Sequence, residues 1–207
     1  MQNITVNYAA GAADLALDLF GRAIADEELA AAAGALDGAA LSVSVRKGRE
    51  LFVEITHPLI VRQERGFRRD ANGELYIWNH YFEKRHDAAP GVGLRSFKIQ
   101  VEGARRLGVK RIELWAAGDL NDRSYNGYLT WAIFGFDAPL TLRERQELSV
   151  DPQLAGVQTV NDLFQRGGRK WWQDYGTARR MRFDLADDSS MMQQFRTYLK
   201  GKGLSKE

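Results

Sequence analysis

Two glycines in the segment DAAPGVGLR, residues 87–95, stand where a strand-like run gives way to a helix-like one. Gly91 and Gly93 precede apolar residues at helical spacing, beginning with Leu94 and Phe97. Glycines in such a turn let backbone N–H groups point at an anion, and the helix N-terminus adds the positive end of its dipole. The segment therefore suits a pyrophosphate or a similar anion, although the same residues also suit a plain tight turn.

The elements on either side of these glycines must hold them in place. Residues 74–82, ELYIWNHYF, predict a strand, and residues 94–107 predict a helix that ends before Gly108. The run VKRIELWAAG, residues 109–118, alternates apolar and polar side chains as a second strand does. Strand, turn, helix and strand together predict a βαβ unit with the glycines at its first turn.

The N-terminal part predicts a strand, two helices and an antiparallel meander. Residues 3–8 alternate like a strand, one helix follows Gly11, and a second runs from Asp26 to the glycine at 34 or 38. Residues 40–82 predict three strands, with turn signals at Lys47-Gly48 and Asn72-Gly73. The fold class indicated is α/β (α+β).

The C-terminal part predicts fewer regular elements. Residues 121–134 have the length and composition of a helix closed by Gly135-Phe136, and two polar stretches follow around residues 137–160. RRMRFDL, residues 179–185, predicts a last strand, and Ser189-Ser190 predicts the cap of a final helix. Trp171, Trp172 and Tyr175 suit either a stacking platform or a plug at the end of the sheet, and the single RGG at residues 166–168 suits a turn.

Composition narrows the classes of function. With 207 residues and 44% apolar residues, the chain can bury one substantial core, so we expect a single domain over residues 1–207. The sequence has no cysteine, which excludes disulfides, thiolate metal sites and a cysteine nucleophile. The three histidines lack metal-ligand spacing, so no metal site is expected.

Charge and the first residues bear on partners and location. The net charge is only +2 although arginines form local clusters, which favours a small anionic ligand over nucleic acid as a partner. The first twenty residues have no basic flank and include Asp14 and Asp18, so we expect neither a signal peptide nor a membrane span, and hence a cytoplasmic protein.

Residues 75–136 resemble the GNAT superfamily of N-acetyltransferases. The resemblance lies in a strand, a glycine loop, a helix ending in Ala-Arg-Arg-Leu-Gly, a strand ending in Ala-Ala-Gly, and a helix ending in Gly-Phe. In that family the loop reads Q/R-x-x-G-x-G/A; Gly91 and Gly93 match its small positions, while Ala88 occupies the basic or glutamine position and leaves Arg85 and Arg95 as stand-ins. The resemblance implies a mixed, mostly antiparallel central sheet flanked by helices: an N-terminal strand and helices in residues 1–45, an acyl-CoA-binding core in residues 75–136, and a C-terminal extension in residues 137–207.

The same resemblance implies an acyl-CoA-dependent N-acyltransferase that transfers acetyl from acetyl-CoA to an amine by direct attack. Its implied cofactor-binding residues are Gly91, Val92, Gly93, Leu94 and Arg95.

Its candidate bases lie at the end of the preceding strand. They are His80, because imidazole titrates near neutral pH, and Glu83, because family bases are often glutamates. Many family members have a tyrosine that protonates the departing thiolate as a general acid. Trp131 occupies that position here, and Tyr128, one turn earlier in the helix, is the candidate substitute.

Two other classes of function remain open. One is a non-catalytic GNAT-like structural or partner-binding protein, which the departures at Ala88 and Trp131 and the long C-terminal extension favour. Residues 117–137, with Asn-Gly-Tyr before Gly-Phe-Asp, resemble GNAT-like proteins from phages and mobile elements. The other is a nucleic-acid-binding domain that uses the arginine clusters. The sequence identifies neither the amine acceptor nor a protein partner.

Overall fold

The computed structural model describes residues 3–47, 49–121 and 125–204. The chain divides into two compact units, residues 1–112 and residues 113–207. The expectation of a single GNAT-like domain stays a prediction. Within the described residues, no helix combines the length and the apolar character needed to cross a membrane.

Unit 1 contains the elements on which the glycine turn depends. In chain order they are β1 (Thr5–Tyr8), α1 (Ala12–Phe20), α2 (Asp26–Ala33), β2 (Ala40–Arg46), β3 (Glu50–His57), β4 (Ile60–Arg69), β5 (Leu75–Lys84), α3 (Val92–Arg106) and the start of β6 (Arg111–Ala116). Strand β1 pairs in parallel with β2, and β2 to β5 form an antiparallel meander. The predicted α/β class, with a mostly antiparallel sheet, is confirmed.

The meander has four strands, and the prediction of three was wrong. The run ELFVEITHPLIV is not one strand, because Pro58 and Leu59 form a two-residue turn that pairs His57 with Ile60. Proline fixes φ and lacks an N–H, so it suits a turn better than a strand interior. The arginine-rich segment that follows is not among the three predicted strands, yet it forms β4. Asn72-Gly73 does form a turn, whereas Gly48 lies outside the described residues.

The two faces of this meander differ in chemistry. One face bears the buried core side chains Leu41, Val53, Phe67 and Ile77, and the ring of Phe20 at the end of α1 lies 5.7 Å from that of Phe67. Strand alternation and register place another set on the opposite face, which we call the His80 face. Its central members are Glu50, Phe52, Gly66, Arg68, Trp78 and His80.

Helices α2 and α3 approach each other with almost no side chain between them. Residues 30–33 of α2 are all alanine and all buried, and a Cβ on Gly103 of α3 would overlap the backbone of Ala31 and Ala32. Helix α3 is also tied to the sheet, because the side-chain amides of Asn79 and Gln100 donate to each other at 3.0 and 2.8 Å. Contacts with both α2 and the sheet therefore hold α3, the helix that follows the glycine turn, in place.

Unit 2 continues β6 and adds the remaining elements. They are α4 (Gly127–Ile133), α5 (Leu142–Leu148), α6 (Val160–Gln165), α7 (Arg169–Tyr175), β7 (Arg179–Asp184) and α8 (Ser190–Gly201). The predicted last strand and the cap of the last helix are confirmed, since the side chain of Ser189 accepts from the Met192 N–H. The predicted helix over residues 121–134 is shorter than expected; residues 122–124 lie outside the described part of the chain.

The tryptophans of α7 have different roles. Trp172 is fully buried, and its indole N–H donates to the backbone oxygen of Tyr128 at 3.0 Å. Trp171 instead lies against Tyr175, with ring centroids 5.3 Å apart, and Tyr175 is exposed. Trp172 is therefore a core residue, whereas Trp171 and the exposed Tyr175 form an aromatic pair.

Candidate functional site

The glycine turn connects β5 to α3 as the sequence predicts. Gly91 is the residue before the helix, with φ of 87°, and no side chain caps the helix N-terminus. Ala88 and Val92 anchor the turn from inside, in a small apolar cluster with Leu36 and Ile60. Ala88, which the resemblance to GNAT enzymes aligns with the basic or glutamine position of their loop, thus packs as a core residue.

The five predicted cofactor-binding residues divide by accessibility. Gly91 and Arg95 are exposed and Gly93 is half-buried, whereas Val92 is 0% exposed and Leu94 is buried. The first N–H groups of a helix have no partner within the helix, so the N–H of Gly93 is open to an anion. The backbone N–H of Arg95 donates to the Gly91 oxygen at 2.9 Å, so Arg95 can contribute only its exposed side chain. Fewer residues can therefore contact a ligand at this turn than the five that the sequence predicted.

Phe82 of β5 backs the turn. A Cβ on Gly93 would lie 3.3 Å from Cε1 of Phe82, which is tight but not prohibitive. The glycine therefore brings the start of α3 close to the strand, a reason for its presence that needs no ligand.

A second cluster lies on the His80 face. Nε2 of His80 is 2.7 Å from Oε1 of Glu50, a carboxylate whose side chain is 2% exposed. The Arg68 guanidinium donates to the same oxygen at 2.8 Å. A Cβ on Gly66 would overlap that oxygen, so the absence of a side chain at Gly66 makes room for the carboxylate.

The electrostatics of this cluster keep Glu50 ionised. Burial raises the pKa of Glu50, but hydrogen bonds from His80 and Arg68 outweigh burial and bring the pKa to about 2, from an ordinary value of 4.5. At neutral pH the cluster therefore holds a buried carboxylate against an imidazole, an arrangement that orients histidine bases in enzymes.

Aromatic rings surround the imidazole of His80. The ring centroids of Phe52 and Trp78 lie 5.5 and 6.4 Å away, both in edge-to-face contact. The side chain of His80 nevertheless remains 23% exposed. The imidazole is fixed by its neighbours but still reachable.

The other two predicted catalytic residues lie in less specialised places. Glu83 is exposed near the end of β5, opposite Arg62 of β4. Tyr128 is buried in unit 2, where its hydroxyl donates to the backbone oxygen of Gln173 at 2.9 Å and burial raises its pKa. Among the predicted catalytic residues, the structure thus provides a buried carboxylate partner for His80.

Sequence reasoning missed Glu50, Gly66 and Arg68. A glycine inside a strand often marks a close approach by another group, so Gly66 between Arg65 and Phe67 was the available signal. It went unused because the segment was not recognised as a strand.

The described residues also bear on metal sites and on clefts. No group of three or more His, Cys, Asp or Glu side chains there is placed to hold a metal ion. A cleft of about 230 Å³ lies in unit 1 beside the turn between β4 and β5, with Phe20, Arg69, Leu107 and Lys110 among its lining residues. None of the predicted site residues lines it.

No protein-family model matches the sequence, and no match to a curated protein was found. The resemblance to the GNAT superfamily therefore stays a prediction, and the function must be argued from the geometry of the residues themselves.

Proposed function

We propose that the chain is an acyl-CoA-dependent N-acyltransferase that transfers acetyl from acetyl-CoA to an amine, with the CoA pyrophosphate bound at the turn before α3. One observation carries this proposal. The continuous segment from β5 to the start of α3 bears a histidine held by a buried carboxylate and, after it, an uncapped helix N-terminus with accessible glycines.

The binding half of the proposal rests on charge and open backbone. A pyrophosphate needs several N–H donors and positive potential, and a helix N-terminus supplies both. The turn adds the exposed Gly91, which has open space where a side chain would be, and the exposed guanidinium of Arg95. These features support acyl-CoA binding through the backbone, in place of the side chain that Ala88 does not supply.

The chemical half of the proposal requires little machinery. The amine nitrogen attacks the thioester carbonyl, the C–N bond forms, and the C–S bond breaks to release the CoA thiolate. The amine gives up one proton, which the enzyme's base accepts, and the thiolate takes up one proton. His80 and Glu83 are the candidate bases; the Tyr128 hydroxyl already donates to a backbone oxygen, so protonation of the thiolate by Tyr128 would require breaking that bond.

The proposed function predicts that acetyl-CoA binding depends on Arg95. Reversing this exposed charge in Arg95→Glu places a carboxylate beside the pyrophosphate, so the dissociation constant measured by calorimetry should rise by tenfold or more. Arg106→Glu, at the exposed far end of the same helix, makes the same change in net charge and serves as the matched control.

Equal weakening in both variants would mean a general charge effect. A wild-type protein that binds no acetyl-CoA at millimolar concentration would refute the proposal. Gly93→Glu is the poorer test, because its side chain would meet Phe82 whether or not a ligand binds there.

A second candidate function, a non-catalytic partner-binding protein, is favoured by exposed aromatic side chains in unit 2. Trp115 and Tyr175 are each 60% exposed, and Tyr125 is also exposed. Large apolar groups at the surface often mark interaction sites. This function gains support if acetyl-CoA does not bind while Trp115→Ser and Tyr175→Ser abolish a complex formed by the wild-type protein.

A further inference from the structure

Two side chains, those of Arg68 and His80, contact the same oxygen of the Glu50 carboxylate. Arg68 alone would neutralise this buried charge, since its guanidinium lies 2.8 Å from Oε1. His80 nevertheless reaches the same atom at 2.7 Å from the neighbouring strand β5. Both contacts lower the pKa of the carboxylate, and the contact with His80 also fixes the orientation of the imidazole.

An ionised carboxylate only accepts hydrogen bonds, so the proton of neutral His80 must lie on Nε2. Nδ1 then carries a lone pair. In the described part of the chain nothing hydrogen-bonds Nδ1, while the imidazole itself stays 23% exposed. The arrangement has the parts of a general base: a fixed ring, a defined tautomer and a free basic nitrogen.

We propose that Glu50 is the positioning residue of a proton-transfer site on the His80 face, and that Nδ1 of His80, not the Glu83 carboxylate, accepts the proton. Arg68 keeps Glu50 ionised, and Gly66 leaves the space in which the carboxylate reaches the histidine. The assignment of a base for acyl transfer rests on the proposed function; the tautomer and its dependence on Glu50 do not.

In acyl transfer the site performs one balanced step. As the amine nitrogen attacks the thioester carbon, its proton passes to Nδ1 of His80, and the resulting imidazolium is stabilised by the Glu50 carboxylate at Nε2. When the C–S bond breaks, the imidazolium gives up the proton it accepted and the thiolate takes up one proton, either directly from His80 or by exchange through solvent. His80 then returns to its neutral tautomer.

Two substitutions of Glu50 distinguish the effect of its hydrogen-bond acceptor on the His80 tautomer from the effect of its negative charge. Glu50→Gln keeps an oxygen in the position where Arg68 and His80 donate, and removes the charge. Glu50→Leu removes the acceptor at a similar volume. In nitrogen-15 spectra of histidine-labelled protein, with the His80 signals assigned from their loss in His80→Gln, we expect a single Nε2–H tautomer in the wild type and in Glu50→Gln, and a mixture in Glu50→Leu.

Glu54→Gln is the matched control, since Glu54 lies on the same face of β3 and is exposed. It should leave the His80 signals unchanged. A wild-type His80 with its proton on Nδ1, or a Glu50→Leu spectrum identical to the wild type, would overturn the proposal. Backbone amide spectra of each variant show whether it is folded. If Glu50→Leu is not, the wild-type spectrum still decides the proposal, because a proton on Nδ1 overturns it.

Activity then tests the role in catalysis. With acetyl-CoA and an amine that the wild-type protein acetylates, Glu50→Gln should lower kcat by roughly tenfold to a hundredfold with little change in KM, and the control Glu54→Gln should leave kcat unchanged. Loss of kcat in Glu83→Gln alone would place the base at Glu83 and refute the assignment. If no acetyl-CoA binds at all, the proposed function fails while the spectra still decide the tautomer.

Discussion

At the scale of the residue, Gly66 determines where the Glu50 carboxylate can lie. Its φ is not in the left-handed region, so the backbone there would accept an L side chain. The obstacle is Glu50, whose Oε1 a Cβ on Gly66 would overlap. Glycine is needed at this position because it leaves room for the Glu50 side chain, and not because of its own backbone conformation.

Gly66→Ala should therefore both destabilise the protein and break the hydrogen bond between Glu50 and His80. We expect the free energy of unfolding in urea to fall by about 1–3 kcal/mol, because the carboxylate is displaced from its donors in a packed site. The His80 tautomer should become mixed, as in Glu50→Leu.

Gly201→Ala is the control for this prediction. Gly201 ends α8, lacks a positive φ and has open space around it, so alanine there should stabilise by up to about 1 kcal/mol. Equal effects of the two substitutions would contradict the account of Gly66.

At the scale of the element, the seating of α3 depends on the amide pair between Asn79 of β5 and Gln100 of α3. Both side chains are buried, and each donates one hydrogen bond to the other. Removing one partner leaves a buried amide without its partner, whereas removing both does not.

A double-mutant cycle should show this coupling. Asn79→Leu and Gln100→Leu should each cost about 1–3 kcal/mol in the free energy of unfolding, and the double variant should cost clearly less than their sum. Arg143 and Glu147 form a matched comparison, because this helical pair is exposed and its coupling should be at most about 0.5 kcal/mol. Additive losses at Asn79 and Gln100 would show that the pair is not coupled.

The elements themselves were the part of the fold that the sequence predicted best. The helix before Gly108 and the cap at Ser189 follow from residues a few positions apart, and both were found. The division of β3 from β4 at Pro58 was missed because the apolar run around it continues through the turn. The pairing of Glu50 with His80 depends on the register of three strands, including an irregularity between Glu64 and Arg65, which local patterns do not specify.

At the scale of the whole molecule, acid should weaken the fold through carboxylates whose pKa values folding lowers. The hydrogen bond from Arg22 and the N–H of Ala25 bring the pKa of Glu28 to about 2, and the pKa of Glu50 is also about 2. A group with a lowered pKa in the folded state stabilises the protein above its ordinary pKa and loses that effect as the pH falls through the folded value. Burial raises the pKa of Asp137, which acts in the opposite direction.

The free energy of unfolding should therefore begin to fall below about pH 4.5 and continue to fall to about pH 2. Urea titrations across this range provide the measurement. Glu50→Gln should be less stable than the wild type near neutral pH and should show a shallower decline. A wild-type curve that stays flat down to pH 2 would show that these carboxylates are not held as described.

The close contact of α2 with α3 has a consequence for which substitutions the protein can accept. In most cores an apolar residue is replaced most safely by another of similar size, and alanine is the damaging replacement. Between these helices the order is reversed, because alanines and Gly103 already bring the backbones together. Valine or leucine at Ala31, whose Cβ lies against Gly103, would force the two helices apart and displace α3 together with the turn that begins it. In this part of the chain, the hydrophobicity of a substituted residue therefore does not predict whether the protein tolerates it. Relatives of the protein would have to retain small side chains at these positions.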